Sequence, residues 1–182
     1  MGTKVNGEKA DKTFLTRRER FFNQSDIIVS KTDLKGRIVY ANRLFMDLAD
    51  MDDRQILGAP HSVIRHPEMP RCVFQLLWDT IQEKKEIFAY VVNRSAKGDH
   101  YWVLAHVTPS FDGNGNVNGY HSNRRVPDRA VLDSIVIPLY RTLLEEENKH
   151  ANRKEGQQAG FALLQNILKD KGVRYDEFIF SL

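Results

Sequence analysis

The stretch Asp33-Leu34-Lys35-Gly36-Arg37-Ile38-Val39-Tyr40-Ala41-Asn42 decides the fold. Asp33 to Gly36 is a turn signal, preceded by the β-favouring Ile27, Ile28 and Val29 and followed by Arg37-Ile38-Val39-Tyr40 as the returning strand. Asn42 is placed to cap a short helix carrying Leu44, Phe45 and Leu48. A hairpin that runs straight into a helix is thus written into ten consecutive residues.

Downstream, Asp52 to Leu57 predicts a further helical turn ended by Gly58, and Cys72 to Lys84 a longer helix. Phe88 to Asn93 and Tyr101 to Pro109 read as strands around the turn Ala96-Lys97-Gly98-Asp99. Phe111-Asp112-Gly113-Asn114-Gly115-Asn116 is a second turn, and Val117 to Val126 supplies the last strand. Two strands, short helices, then three antiparallel strands predict an α+β domain: a five-stranded antiparallel sheet with short helices on one face.

Pro127 and Asp128 open a long helix with Val131, Leu132, Ile135, Leu139, Leu143 and Leu144 at helical spacing. A polar break (Asn148 to Gly156) precedes a helix from Gln157 to Asp170, stopped by Gly172. The chain ends in the apolar-aromatic segment Tyr175 to Leu182. At the other end, Met1 to Asp11 has almost no large apolar residues and reads as disordered. Phe14, Leu15, Phe21 and Phe22 predict an N-terminal helix over Lys12 to Phe22, with Arg17, Arg18 and Arg20 opposite. The predicted organisation is therefore residues 1–24 as a disordered start and cap helix, 25–126 as the central domain, and 127–182 as a C-terminal helical extension.

Composition narrows the function classes. The chain has 182 residues, 41% hydrophobic, enough to bury a core. The formal charge of +3 is mild, and lysines and arginines mix with acids throughout, which argues against a nucleic-acid partner. One cysteine excludes an internal disulfide and any cysteine-built metal site, which suits a reducing compartment. No apolar run approaches the roughly 18 residues of a membrane span. A cytoplasmic protein without membrane insertion is expected.

The chemistry-bearing stretch is Arg65-His66-Pro67-Glu68-Met69-Pro70, whose two prolines forbid a regular helix. Trp78, Asn93 and the block Gly98-Asp99-His100-Tyr101-Trp102 follow it. Rigid polar groups beside aromatics suit a planar, polar-edged, phosphate-bearing ligand. Each residue also has a plainer reading. Arg65 and His66 pair with Glu68 on a solvated loop. Trp78 packs with Phe74 and Ile81 as core; Trp102 is a core residue that also lines a pocket; Asn42 is a cap first and a ligand second. Asn93 inside an apolar strand is costly unless its amide finds partners.

Taken in order, these residues resemble a known family. Asp33 to Asn42 looks like the first hairpin of a PAS domain. Pro60-His61, Arg65 to Pro70, Phe74, Trp78, Asn93-Arg94 and Gly98 to Val103 resemble the FAD-binding PAS domains of bacterial aerotaxis and energy-taxis receptors. The resemblance covers about Ser25 to Val126. The tail, with Pro138-Leu139-Tyr140 and Tyr175 to Leu182, resembles stand-alone members of this branch. The resemblance implies FAD as cofactor, contacted by Asn42, Arg65, His66, Glu68, Trp78, Asn93 and Trp102. It implies a redox sensor rather than an enzyme, in which Asn93 answers reduction by flipping its amide and Glu68 or His66 by moving a proton. The implied partner is a membrane-bound chemotaxis-type transducer acting in trans, with a homodimer as a further possibility and the tail as the route outward.

Two departures stand out: Glu68 replaces the aspartate of those receptors, and Ala49-Asp50-Met51 replaces their serine-glycine-tyrosine. Rival readings are a ligand-free interaction module and a haem sensor, whose axial histidine the helix after Phe74 lacks. Arg71-Cys72-Val73-Phe74-Gln75 has a passing likeness to the cysteine motif of blue-light PAS domains, but Cys72 reads as a small apolar helix residue.

Overall fold

The computed structural model describes residues 14–182. The expected disordered start, Met1 to Asp11, lies outside the described residues, as do Lys12 and Thr13. The predicted sheet is present: β1 (Ile28–Thr32), β2 (Ile38–Ala41), β3 (Ile87–Arg94), β4 (His100–Phe111) and β5 (Val117–Arg125), every neighbouring pair antiparallel, in the order β2-β1-β5-β4-β3. The β1–β2 and β4–β5 turns use one device. Asp33 Oδ1 accepts the Lys35 and Arg37 amides, each at 2.8 Å, and Asp112 Oδ1 accepts those of Asn114 and Asn116, each at 2.9 Å.

Between the hairpins lie α1 (Arg43–Ala49), α2 (Asp53–Ile56), a 3₁₀ turn (His61–Ile64) and α3 (Arg71–Gln82). Asn42 caps α1 as predicted: its Oδ1 accepts the Phe45 amide at 3.1 Å. Strand period divides the sheet into two faces. Ile28, Ala89, Tyr101, Val103 and Val107 are buried on or around the inner face, under α1 to α3.

The predicted N-terminal helix is absent from its described part. Residues 14–22 run extended beside the β3–β4 turn, with Glu19 bridged to His100. Arg20 N–H donates to the His100 carbonyl at 2.7 Å, and His100 N–H to that of Arg18 at 2.9 Å. The cause is Asp99, fully buried, which collects Thr16 (2.6 Å), Arg18 (2.6 Å) and Arg20 (2.8 Å). Hydrogen bonds from those three groups hold its carboxyl well below the usual range. A helix would turn Arg18 to the side opposite Thr16 and Arg20, so this buried acid overrides the weak apolar periodicity.

The C-terminal extension comprises α4 (Arg129–Val131), a π-helical turn (Leu132–Val136), α5 (Ile137–Asn148), α6 (Arg153–Lys171) and α7 (Tyr175–Phe180). The π turn ends two residues before Pro138, which has no backbone N–H to donate to the preceding turn. α5 covers the outer face at the edge strand: Tyr140 Oη donates to the Tyr90 carbonyl at 2.6 Å, and its ring lies 6.0 Å from that of Trp102. α7 sets Phe180 edge-on to Phe88, 4.9 Å between centroids. Among the described residues, no helix is long and apolar enough to cross a membrane.

The polar break expected over Asn148 to Gly156 is shorter than predicted, because Asn152 caps α6 and starts it at Arg153. Gly156 and Gly160 are the reason a helix can lie there. A Cβ on Gly156 would strike the Glu147 carbonyl, and one on Gly160 would sit 2.7 Å from Glu147 Cγ. Glu147 itself is fully buried. Its carboxylate accepts the Arg71 amide at 3.1 Å and the Cys72 amide at 2.8 Å, and lies 3.2 Å from Arg71 Nε. α3 starts after Pro70, which has no capping side chain, so Glu147, 75 positions beyond Cys72, caps it instead.

The tail is therefore packed onto the start of α3 through Glu147. Glu147→Ala should cost about 3 kcal/mol or more, because it leaves two amides and a guanidinium short of an acceptor. Deleting residues 157–182 should lower the urea midpoint as well. A wild-type midpoint in both variants would show that the extension is not anchored through Glu147.

Candidate functional site

Between the inner face of the sheet and α3 lies a cavity of about 570 Å³, within the size range of cofactor sites. Ser30 (β1), Asn93 (β3), Ala105 (β4) and Arg124 (β5) form its sheet side, and Phe74 and Trp78 of α3 face them. Trp78 meets Tyr120 edge-on, centroids 5.5 Å apart. Beneath the indole is Gly36, at φ 74°, where a Cβ would sit 3.0 Å from Trp78 Cη2. The hairpin glycine thus serves both the turn and the indole.

Arg65 stacks its guanidinium 4.0 Å from the Phe74 centroid, and its backbone bridges to Asn93 on the edge strand. Burial lowers its pKa, and its Nη2 is buried without a partner among the described residues. Asn93 is 2% exposed and its Nδ2 has no acceptor. Arg124 is 3% exposed. Its Nη2 donates to Ser30 Oγ at 2.9 Å and His61 Nε2 at 2.6 Å, while Nη1 is left without an acceptor. Burial pushes the Arg124 guanidinium down to about 10. Lys35, Arg65, Arg71, Arg124, Arg153 and Lys154 all border the cavity, and among the described residues no aspartate or glutamate does. Cationic walls with unused buried donors fit a planar ligand with acceptor edges and negative charge.

Of the seven residues proposed from sequence, Arg65, Trp78 and Asn93 line this cavity. The other four do not. Asn42 spends its side chain on the backbone: besides the α1 cap, Oδ1 accepts the Val29 amide at 3.1 Å and Nδ2 donates to the Ile27 carbonyl at 2.8 Å. His66 is buried, but against the His100 ring, 5.7 Å away, with Nδ1 accepting the Glu68 amide. Glu68 is exposed. Because Ala105 and Val107 face the cavity, strand period turns Trp102 to the opposite face, under Tyr140. Cys72 is off the cavity wall too. Its buried thiol lies beside Glu147 and Gly160, and burial raises its pKa, with Glu147 adding to the effect.

Sequence reasoning missed Arg124, Ser30 and the α6 residues Arg153, Lys154 and Gln157, and it took His61 as part of a motif without giving it a place in the site. Alternation along β5 places Tyr120, Ser122 and Arg124 on one face, with Ser30 paired to Ser122, so that polar stripe was legible in principle. The α6 residues carry no local signal, since only the packing of α6 on α3 brings them there.

The PAS fold family matches residues 38–123. The aerotaxis receptor of Escherichia coli (strain K12) is 33% identical over 131 residues, 71% of this chain and 25% of that one. The nitrogen fixation regulatory protein of Klebsiella oxytoca is 24% identical over 102 residues, 56% of this chain and 21% of its own. The chain thus spans a quarter or less of the length of these curated relatives. Among solved structures, the light-state structure of the blue-light photoreceptor Aureochrome1 LOV superposes with a TM-score of 0.52 at 25% identity, over 66% of this chain and 91% of that one.

The histidines give the site a pH dependence of definite sign. Burial, then the Arg124 charge, pushes His61 down to about 3, and burial also lowers His66 and His121. The unfolded chain protonates these rings near pH 6.5, so it binds more protons than the folded chain from about pH 6.5 down to about 3. Stability therefore falls as pH drops through that window. Thermal midpoints should decline steadily below neutrality, before the depressed carboxyl of Asp99 titrates. His61→Gln, which can still accept from Arg124, should flatten the slope; a slope equal to wild type would show that His61 is not held neutral.

Proposed function

Because residues 38–123 form a PAS sensor domain, we propose that this chain binds FAD and senses redox state. It passes the signal by protein contact to a chemotaxis-type transducer, without turning over a substrate. One observation carries the reading. An aromatic-walled cavity presents buried donors of Asn93 and Arg124 that are unpartnered among the described residues, and no carboxylate of those residues shares it. The likeness to an aerotaxis receptor and the energy-taxis motifs around Arg65, Trp78 and Asn93 support it.

A flavin supplies a redox-active ring whose edge gains negative charge or a proton on reduction. Trp78 and Phe74 offer the apolar faces between which a ring is held, and the Trp78 indole is itself fixed by Gly36 and Tyr120. Asn93 presents both a donor and an acceptor, so its amide can match a ring edge in either state by flipping. Arg124 places positive charge at the sheet side of the cavity and favours an anionic edge. His66 and Glu68 stand off the cavity wall, so the proton-moving role falls away from them. Asn93 is joined to Arg65 by backbone pairing, and Arg65 stacks on α3. A rearranged amide would thus bias the loop before α3, and through Glu147 the extension that meets the transducer or a second copy of the chain.

The rivals fare worse on geometry. A haem ligand would need a histidine with a free ring nitrogen facing the cavity; the His61 Nε2 lone pair already accepts from Arg124, and strand period turns the side chain of His121, the other histidine bordering the cavity, to the face opposite Ser122 and Arg124. A photochemical thiol would need to face the cavity, and Cys72 faces Glu147 and α6. A ligand-free module gives no reason for an unpaired buried arginine.

Purified protein should show flavin absorption bands, and chromatography of the released chromophore should identify FAD. Arg124→Met should raise the thermal midpoint of the flavin-free protein, by about 2–4 °C for each kcal/mol of relieved desolvation, while flavin affinity falls at least tenfold. Asn93→Ala should weaken binding by about 1–3 kcal/mol. Colourless protein that takes up no added flavin would remove the reading.

A further inference from the structure

The first turn of α6 stands at the cavity, although α6 lies outside the PAS core. Arg153 and Lys154 border the cavity and are exposed. Lys35 from the β1–β2 turn and Arg65 from the loop before α3 border it as well. Three segments far apart in sequence thus bring charge of one sign to one cavity. Among the described residues, none of these four side chains forms an ion pair, whereas Arg18, Arg20, Arg129 and Arg174 each do. The backbone of the α6 terminus is not the attraction. Asn152 Oδ1 already accepts the Lys154 and Glu155 amides, at 2.8 and 3.4 Å. The cationic group is built from side chains. It lies along the same cavity as two donors on residues more than nine-tenths buried, Asn93 Nδ2 and Arg124 Nη1, both unpartnered.

We infer that α6 supplies part of the phosphate-binding rim of the flavin site: Arg153 and Lys154, with Lys35 and Arg65, hold the phosphate of the flavin side chain. The inference rests on the flavin reading above. Ring recognition belongs to the sheet and α3, and phosphate recognition is shared with the C-terminal extension. Lysine meets a phosphate as a point charge and arginine as a planar fork, so both residue types serve. Cofactor retention then depends on α6 being docked, and α6 is docked through Gly156, Gly160 and Glu147.

The test is calorimetric titration of the full chain with riboflavin, FMN and FAD, for wild type and the double variant Arg153→Gln, Lys154→Gln. Both positions are exposed, so the thermal midpoint without ligand should not move. The dissociation constants for FMN and FAD should rise about tenfold or more, with riboflavin affinity unchanged. Added salt should weaken FMN binding to wild type but not riboflavin binding. Unchanged FMN and FAD affinities in the double variant, with wild type binding all three ligands, overturn the inference and leave the flavin reading standing. An equal loss for riboflavin overturns it too, by placing the two side chains at the ring. A wild-type chain that binds none of the three overturns both readings.

Discussion

One buried carboxylate joins the sensor core to everything that follows it. Glu147 sits at the end of α5 with no exposed surface, and its oxygens are taken by the opening amides of α3 and by Arg71. A proline before a helix ordinarily leaves those amides to water. Here the acceptor comes from the extension, so α3 is fully capped only when α5 is in place. α6 then lies close enough to seal Glu147 because glycine occupies the two positions where a side chain would collide. α3 carries Phe74 and Trp78, so the wall of the cavity and the docking of the extension are two ends of one helix.

The cavity has the reverse character of an ordinary core. Apolar burial offsets the conformational entropy of folding, yet this interior keeps an arginine with one nitrogen unsatisfied and an asparagine amide with none of its donors used. Isolated polar groups of this kind cost stability unless a partner arrives. The strain is concentrated where binding would relieve it, which is how a site and a fold diverge in what they ask of a sequence. Among the described residues most of the unpaired buried groups border this cavity, the Tyr101 and Tyr175 hydroxyls being the others. The buried carboxylates are better served: Asp99 gathers three side chains, and Glu147 two amides beside the Arg71 guanidinium.

How much was legible in the sequence follows from the range of each interaction. The two aspartate turns, the Asn42 cap and the succession of strands along the chain are decided within a few residues, and they read correctly. Arg65, Trp78 and Asn93 were found because a motif and a costly polar residue in an apolar strand are visible without coordinates. Trp102 was misplaced by one strand parity, since Ala105 and Val107 of the same strand hold the inner face. The N-terminal helix failed against a long-range rival, a buried aspartate 79 to 83 residues away that draws three side chains to itself. Arg153 and Lys154 were beyond reach, because their position depends on Glu147, Gly156 and Gly160 acting together.

The two tryptophans of the chain are divided between the faces of the sheet, and this gives the molecule a built-in pair of optical probes. Trp78 borders the cavity beside Tyr120, and Trp102 lies under the Tyr140 ring of α5. With one indole replaced by phenylalanine, the emission of the other reports a single place. Trp78 emission would be quenched by energy transfer to a bound chromophore, while Trp102 emission would follow the packing of the extension. The order in which the two signals change after reduction would show whether a disturbance at the cofactor travels outward through the sheet, or whether the helices move first.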